Sequence, residues 1–591
     1  MNKKINLDSK ICNIIFACLV FAYAFRHVNY GLDIMDTGYN IGNYKYMGLA
    51  HIDEPWFFAT LLSNTIGHII CLLPGGDKLL GFNIYSTSFI AAMAVAIGVF
   101  LKRELKICGV LVWLGEFLAL SLYWLPPAVL YDSLTFLFKN IAIILIYIGL
   151  IHQKHLYILI SGVFLGFNIL NRVSNLSEIV LIFAIVGYGI LQWYETIYSE
   201  KKYKKRALIK EVLLNICWFL VGYGLAVLLW ASVIHIRYGI GSYINGIRDM
   251  LGITDKAAEY GVDFAIKHIC SELLQYTLRL WRLLLGGFLG FVAVFISKRI
   301  GEKTRNKKVL WGGYVFCIID SVYILYHYLS NSNYFSNIPN SYSYIYAPVY
   351  MLTIVILVIA FTDLFRVDIS VENKLFGGLI ISAYFLSVVG GNNYEMMGMC
   401  NMFFIIPYGF NKLYNAYKSK FTLPFALTVS CFIFYTILHI SNFGFLFLYK
   451  ESATPSQCTE IVNNNEILSN IKMTKEKAAA IEEISEFVNE NGLKGQEAMF
   501  YYFIPSLTYY LQMPPIYTSW PELNSKSSKE LNERLCIYSS QEEYPPVFIG
   551  RGCDFSSDDE KTRIIYEWIN TNGYILAFQN EICDVYLPET N

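Results

Sequence analysis

The sequence predicts a polytopic α-helical membrane protein followed by a small α/β domain. Of its 591 residues, 55% are hydrophobic and only 16% are charged, whereas a soluble chain carries about a quarter charged residues. The apolar residues gather into runs of roughly 20, the length of helix that crosses a bilayer core. From about residue 449 the pattern changes to amphipathic helices alternating with short strands.

Lys3, Lys4 and Lys10 precede the first apolar run, at about residues 11–28. Basic flanks stay in the cytoplasm, so this run reads as an uncleaved first helix. The stretch after it, NYGLDIMDTGYNIGNYKYMGLAHIDEPW (29–56), then emerges outside. Residues 57–73 are apolar but interrupted by Ser63, Asn64, Thr65 and His68, and read as an interfacial or re-entrant helix closing the first outer loop, 29–80. Further spans are expected at about 81–101, 107–123, 134–151, 156–170, 176–194, 212–234, 276–296, 309–329, 345–364, 375–389, 399–413 and 421–448. With the first, that makes about thirteen transmembrane helices. The basic segments 201–210 and 298–308 then fall on the cytoplasmic side, and the C-terminus lies outside. Residues 235–275 read as a long outer loop of polar and amphipathic character.

Residues 1–448 thus form a transmembrane domain and 449–591 a soluble extracytoplasmic α/β domain. In the latter, TKEKAAAIEEISEFVNENG has apolar residues at helical spacing and a terminating Gly492. AMFYYFIP, PPVFIGRG and GYILAFQNEICDVYL read as strands, and KTRIIYEWINTNG as a helix. Cys458, Cys536, Cys553 and Cys583 lie in this region, where disulfides are chemically allowed but their pairing is not readable. A formal net charge of zero, without a basic arm, argues against a nucleic-acid partner.

The candidate chemistry collects at the expected outer ends of the spans. Asp33 and Asp36 follow the first span, where an ionised carboxylate is costly unless solvated, paired or used. Asp53 and Glu54 read as acids that start the interfacial helix. Asp132, in LYDSLTF, fits either a helix N-cap or a ligand contact. Arg172, in LNRVSNLSE, fits either a snorkelling side chain or a phosphate contact, since its planar fork donates paired hydrogen bonds. Asn392, Asn393 and Glu395, in GGNNYEMMGMCN, fit either a tight turn or contacts to a sugar. HQKH (152–155) lies in a basic cytoplasmic turn and is a poor metal site. YGIGSYINGIRD does not fit a dinucleotide fingerprint, and no Walker sequence or GxSxG is present.

Taken together, MDTGYNIGNYKY, the YDSL at the head of the fourth span and LNRVSN at the end of the fifth resemble the GT-C superfamily of integral-membrane glycosyltransferases. The protein O-mannosyltransferase and lipid A aminoarabinose transferase group is the most similar in plan. The resemblance implies a polyprenyl-phosphate-linked sugar donor, transfer at the outer face of the cell membrane, and a glycan, lipid or protein acceptor. It puts the loop acid on Asp36, with Asp33 second, and a phosphate-binding arginine on Arg172. It leaves a divalent metal ion open. HIDEPWFF (51–58) replaces the Pro-Tyr-x-Asp-Phe type element of that group.

Two other functions fit a polytopic chain. A transporter or flippase of lipid-linked glycans places polar residues at mid-membrane, whereas the notable charges here fall at span ends. A polymerase or ligase of glycan blocks relies on a large outer loop rich in Arg and His; residues 235–275 hold His235, Arg237, Arg248 and His268.

Overall fold

The computed structural model describes residues 8–48, 54–198, 205–256, 262–279, 281–330, 341–389, 394–420, 423–522, 527–541 and 543–589. Helices run in the order α1 (Lys10–Ala24), α2 (Asp36–Lys45), α3 (Glu54–Ala59), α4 (Leu61–Leu72), α5 (Leu79–Glu104), α6 (Gly109–Leu122), α7 (Tyr131–Ile151), α8 (His155–Asn168) and α9 (Ile182–Tyr198). They continue with α10 (Lys205–Arg237), α11 (Ile240–Lys256), α12 (Val262–Arg279), α13 (Trp281–Thr304), α14 (Lys307–Ser330), α15 (Ser343–Phe365), α16 (Val371–Val388), α17 (Tyr394–Cys400), α18 (Ile405–Lys420) and α19 (Leu423–Leu446).

Among the described residues, seven helical segments are long and apolar enough to cross a membrane. They coincide with the first, second, fourth, sixth, seventh, tenth and eleventh expected spans. At the third and fifth, α6 and α8 have 14 residues each; their rise of about 21 Å is shorter than a bilayer core. Among the described residues, length and apolarity alone therefore identify seven of the thirteen expected spans. Large apolar side chains stand exposed along α10, Leu228 at 67% and Ile236 at 84%, as suits a helix facing lipid. Gly162 and Gly166 of α8 let α10 approach closely: a Cβ on Gly162 would lie 2.2 Å from the Phe219 carbonyl oxygen. Such small-residue contacts are a common way for membrane helices to pack.

Residues 57–73 do not form one continuous helix. They break at Thr60 into α3 and α4, and the 12 residues of α4 rise only about 18 Å. Glu54 is the first residue of α3, while Asp53 lies outside the described residues. The expected outer loop 235–275 is instead the end of α10, then α11 and most of α12. Its amphipathic periodicity outweighs its polarity. Tyr243 of α11 packs with Phe57, Phe58 and Leu61.

The C-terminal part contains β1 (Glu460–Ile461), β2 (Lys472–Met473), α20 (Lys475–Glu490), β3 (Met499–Tyr501), α21 (Leu507–Tyr510), α22 (Ser528–Ser540), β4 (Val547–Gly550), α23 (Glu560–Thr571), β5 (Tyr574–Gln579) and β6 (Cys583–Pro588). The main sheet has the order β3-β4-β6-β5, with β3 and β4 parallel and the other pairs antiparallel. The helices expected at α20 and α23 are present. Thr474 and Asp559 cap them by accepting from Lys477 N and Thr562 N. The run GYILAFQNEICDVYL, expected as one strand, folds into the β5–β6 hairpin. Cys458, Cys536, Cys553 and Cys583 are free thiols.

The stretch after α1 is clamped between the helices and this C-terminal part. Gly31 N donates to Lys472 O (2.9 Å), and Lys472 N donates to Asn29 O (2.8 Å). Leu32, Ile41 and Tyr44 share one core with Leu79 and Phe82 of α5 and with Ile481, Phe500 and Tyr510. Helix α2 lies so close to α21 that a Cβ on Gly38 would stand 2.4 Å from Ser506 Cβ and 2.8 Å from Ser506 Cα. Gly38→Val is expected to destabilise this docking by about 1–3 kcal/mol, the usual cost of overpacking. Limited proteolysis of the purified protein reads it as faster release of the C-terminal part; an unchanged cleavage rate would contradict the close approach.

Candidate functional site

Asp33 and Asp36 are separated by the helix start between them. Asp33 Oδ1 accepts from Met35 N (2.8 Å), and Oδ2 accepts from Thr37 N (2.8 Å) and Thr37 Oγ1 (2.9 Å). Its carbonyl accepts from Tyr510 Oη (2.7 Å). Asp33 thus organises the first turn of α2, satisfying amides that have no helical partner. It lines a small space of about 80 Å³ with Arg26 and Asn83. Asp36, in the first turn of α2, lines a different and larger cavity of about 440 Å³.

Asp132 lines the same cavity as Asp36. It is not the N-cap of α7. That position is Leu130, whose amide donates to Ser133 Oγ (3.4 Å). Asp132 sits in the first turn and accepts at Oδ1 from Arg172 Nη1 (3.0 Å). Arg172 follows α8 and opens a 3-10 segment, Val173–Leu181. A polar frame fixes this turn. Asn175 Nδ2 donates to Thr135 Oγ1 (2.8 Å), Asn171 Nδ2 to Asn168 Oδ1 (2.9 Å), and Asn168 Nδ2 to Glu178 Oε2 (2.7 Å). Ser63 of α4 donates to Asn171 Oδ1 (3.1 Å), tying the closing helix to the same frame. The polar cluster around Arg172 therefore holds the arginine rather than lining the cavity.

Two residues that sequence reasoning missed complete the site. Tyr449 Oη donates to Asp36 Oδ2 (2.6 Å), and the Lys450 ammonium pairs with the same oxygen. Both follow α19, where a Tyr-Lys pair reads as an interfacial belt residue and a snorkelling cation. Only their chain position beside a candidate acid in space marks them. Burial, and then the neighbouring Asp36 carboxylate, push the Tyr449 phenol well above its ordinary pKa, so it stays a donor. Trp124 stacks on Tyr449 at 6.2 Å, and Trp56 stacks on Tyr131 at 6.0 Å. These rings and Trp520 give the cavity aromatic walls.

Charges balance in two pairs, Asp36 with Lys450 and Asp132 with Arg172. Arg172 spends one of its five N–H donors on Asp132 and stands behind it, not itself lining the cavity, whose aromatic walls are interspersed with Asn40, Asn43 and Asn64. Among the described residues no three His, Cys, Asp or Glu side chains converge as metal ligands. A divalent ion needs carboxylate oxygens at its own coordination distance, whereas the two carboxylates here are each taken by a cation. The described residues of the site do not fit a metal. Asn392 and Asn393 lie outside the described residues. Glu395 stands in α17, its side chain outside them as well.

Burial, and then Asp36, raise the Asp33 carboxyl above its usual range. The folded state therefore holds a proton that the unfolded chain has lost. The associated stability is present at low pH and is lost as pH rises from about 3.8 through the raised folded value. Scanning fluorimetry across that window is expected to show a melting temperature with a downward component in wild type that Asp33→Asn lacks. Parallel profiles would remove Asp33 as its source.

Comparison with known protein families and with curated proteins finds no match to this chain.

Proposed function

We propose that the protein is a membrane glycosyltransferase of GT-C type that moves a sugar from a polyprenyl-phosphate donor to an acceptor at the outer face of the cell membrane. One observation carries the reading: Asp36 and Asp132, from distant parts of the chain, line a single aromatic-walled cavity and are each matched with a cation. Such a cavity suits a donor with both a phosphate and a sugar. The phosphate would lie by the Lys450 ammonium, which lines the cavity, and reach Arg172 behind Asp132, with the sugar ring against the aromatic walls.

In this reading the acceptor hydroxyl loses its proton to Asp36 and attacks the anomeric carbon. The bond from that carbon to the phosphate oxygen breaks, its electron pair leaving with the lipid phosphate, and the anomeric configuration inverts. Among the described residues no hydrogen bond reaches Asp36 Oδ1, so that oxygen can take the acceptor proton.

The test uses the full chain in liposomes, with labelled sugars on polyprenyl phosphate and envelope fractions as acceptor. Labelled product is expected. Arg172→Lys, which keeps the charge but loses the fork, is expected to raise the donor KM about tenfold, the worth of one charge-assisted hydrogen bond. No product from any donor would defeat the proposal.

A second reading, transport of the lipid-linked glycan, draws on a different observation. Lys139 and Glu178 are both buried inside the helices, where Lys139 Nζ donates to Ser387 Oγ (2.6 Å) and Asn140 Nδ2 to Asn401 Oδ1 (2.7 Å). A buried lysine within α7 was not expected from the sequence, and buried charges among membrane helices are the usual mark of a substrate or proton path. The same liposomes distinguish the two readings, because transport moves the labelled lipid between leaflets without forming product.

A further inference from the structure

The C-terminal part holds a second cavity, of about 380 Å³, that the candidate site does not use. It opens where the parallel strands β3 and β4 end, at Tyr501 and Gly550. In open α/β sheets this carboxyl edge is where ligands bind. The chain leaves β3 through Tyr502 (φ +71°) and Phe503 (φ +59°), consecutive aromatic residues in the left-handed region. That conformation costs about 1–3 kcal/mol at each non-glycine residue and collects at functional sites. It is accommodated because Gly550 has no side chain: a Cβ there would lie 1.8 Å from the Tyr502 carbonyl oxygen. Phe503 is left 47% exposed at the cavity.

Among the described residues, two polar atoms in this wall make no hydrogen bond. Trp520 is 9% exposed, and its indole Nε1 is buried without an acceptor. Glu522 spends Oε1 on the Phe503 amide, and the Tyr502 amide also faces its carboxylate, while Oε2 is buried without a hydrogen bond. Buried polar groups are nearly always satisfied, so a donor and an acceptor left open beside aromatic faces point to a ligand. The other acids are already engaged. Asp559 caps α23 and accepts from Tyr501 Oη (3.0 Å), and Asp554 accepts from Ser556 N (2.9 Å) and Ser556 Oγ (2.6 Å). Three carboxylates at the rim disfavour an anion. A flat, hydroxylated, non-anionic ring satisfies the aromatic faces, the indole donor and the carboxylate acceptor together.

We infer that this crevice is a carbohydrate-binding subsite, taking the sugar ring of a glycan against Phe503 and Trp520 with a hydroxyl on Glu522 Oε2. Trp520 also walls the cavity of Asp36 and Asp132, so a glycan lying along it reaches from one cavity to the other. That the bound glycan is the acceptor rests on the transferase reading; that the crevice binds sugar does not.

Saturation-transfer NMR on the full chain in lipid nanodiscs tests it, since maltoside detergents would themselves compete. The probes are maltotriose, chitotriose and mannotriose, with choline as a cation that has no sugar ring. At least one trisaccharide is expected to bind with a Kd of about 10 mM or tighter, as befits a shallow site. Glu522→Gln and Phe503→Gly, the latter relaxing the left-handed backbone, are each expected to weaken it about tenfold, the worth of one buried contact. Lys529→Ala, at an exposed position of α22 that lines neither cavity, is expected to leave binding unchanged. Binding of no trisaccharide, of choline alone, or equal loss in Lys529→Ala would overturn the subsite. Persistent binding by a protein that transfers no sugar would defeat the transferase reading and leave the subsite standing.

Discussion

Asp36→Asn is expected to lower the rate of sugar transfer by about 10²–10⁴-fold, the range for loss of a general base, equivalent to about 3–5 kcal/mol of barrier. The amide oxygen still accepts from Tyr449, whose phenol stands 2.6 Å from the present carboxylate, so the local geometry is kept. What goes is the negative charge that balances Lys450 and that, in the proposed reaction, takes the acceptor proton. The loss is expected in kcat, with the donor KM little changed, because Arg172 and the aromatic walls are untouched. Liposome assays at matched protein levels measure both. A fall in KM-dependent rate alone would make Asp36 a binding residue, and an unchanged kcat would remove it from the chemistry.

The largest effect on stability is expected from Lys477→Ala. The Glu451 carboxylate is 2% exposed and pairs with Lys477 Nζ at 2.7 Å. The same ammonium donates to Leu32 O (3.0 Å), and Glu451 Oε2 accepts from Leu32 N (3.4 Å). One ion pair therefore joins α20, the segment after α19 and the segment after α1. Removing the lysine leaves a buried carboxylate uncompensated, which costs about 3–5 kcal/mol. Replacing both partners, as Lys477→Met with Glu451→Leu, is expected to recover most of that cost. A thermal melt of the single and double variants checks the pair. Equal destabilisation by both would show that packing, rather than the unpaired charge, sets the cost.

The helices and the α/β character of the last 140 or so residues were legible because apolar run length and 3.6-residue periodicity are local properties. Helix α20 is the clearest case, with its Thr474 cap and its stop before Gly492 both written in sequence. The number of spans was less legible. Apolar runs such as those of α6 and α8 end early at turns, and no local signal separates a 14-residue helix from a full crossing. At the site, the sequence identified Asp36, Asp132 and Arg172 as charges at helix ends but not their pairing. It ranked Asp33 beside Asp36 because the two are three residues apart. In space Asp33 faces the turn it caps, and its oxygens are taken by Met35 and Thr37. Tyr449 and Lys450 were missed because a tyrosine and a lysine after a span are ordinary there. Lys139 was missed for a related reason: long apolar neighbours masked it, whereas Glu178 was visible in LNRVSNLSE but not as a partner of Asn168.

The partners of Asp36 come from the far end of the chain, Tyr449 being 413 residues away. During synthesis α2 is made early, yet its acid has no counter-charge until α19 and the residues after it have left the ribosome. Until then Leu32, Ile41 and Tyr44 lack the apolar partners that Ile481, Phe500 and Tyr510 supply. A chain cut short before residue 449 would keep most of its helices but present an unmatched carboxylate and an uncovered apolar face. Such surfaces engage chaperones and proteases. Completion of the site thus waits on residues made long after α2, so the protein gains its cavity late in its own assembly.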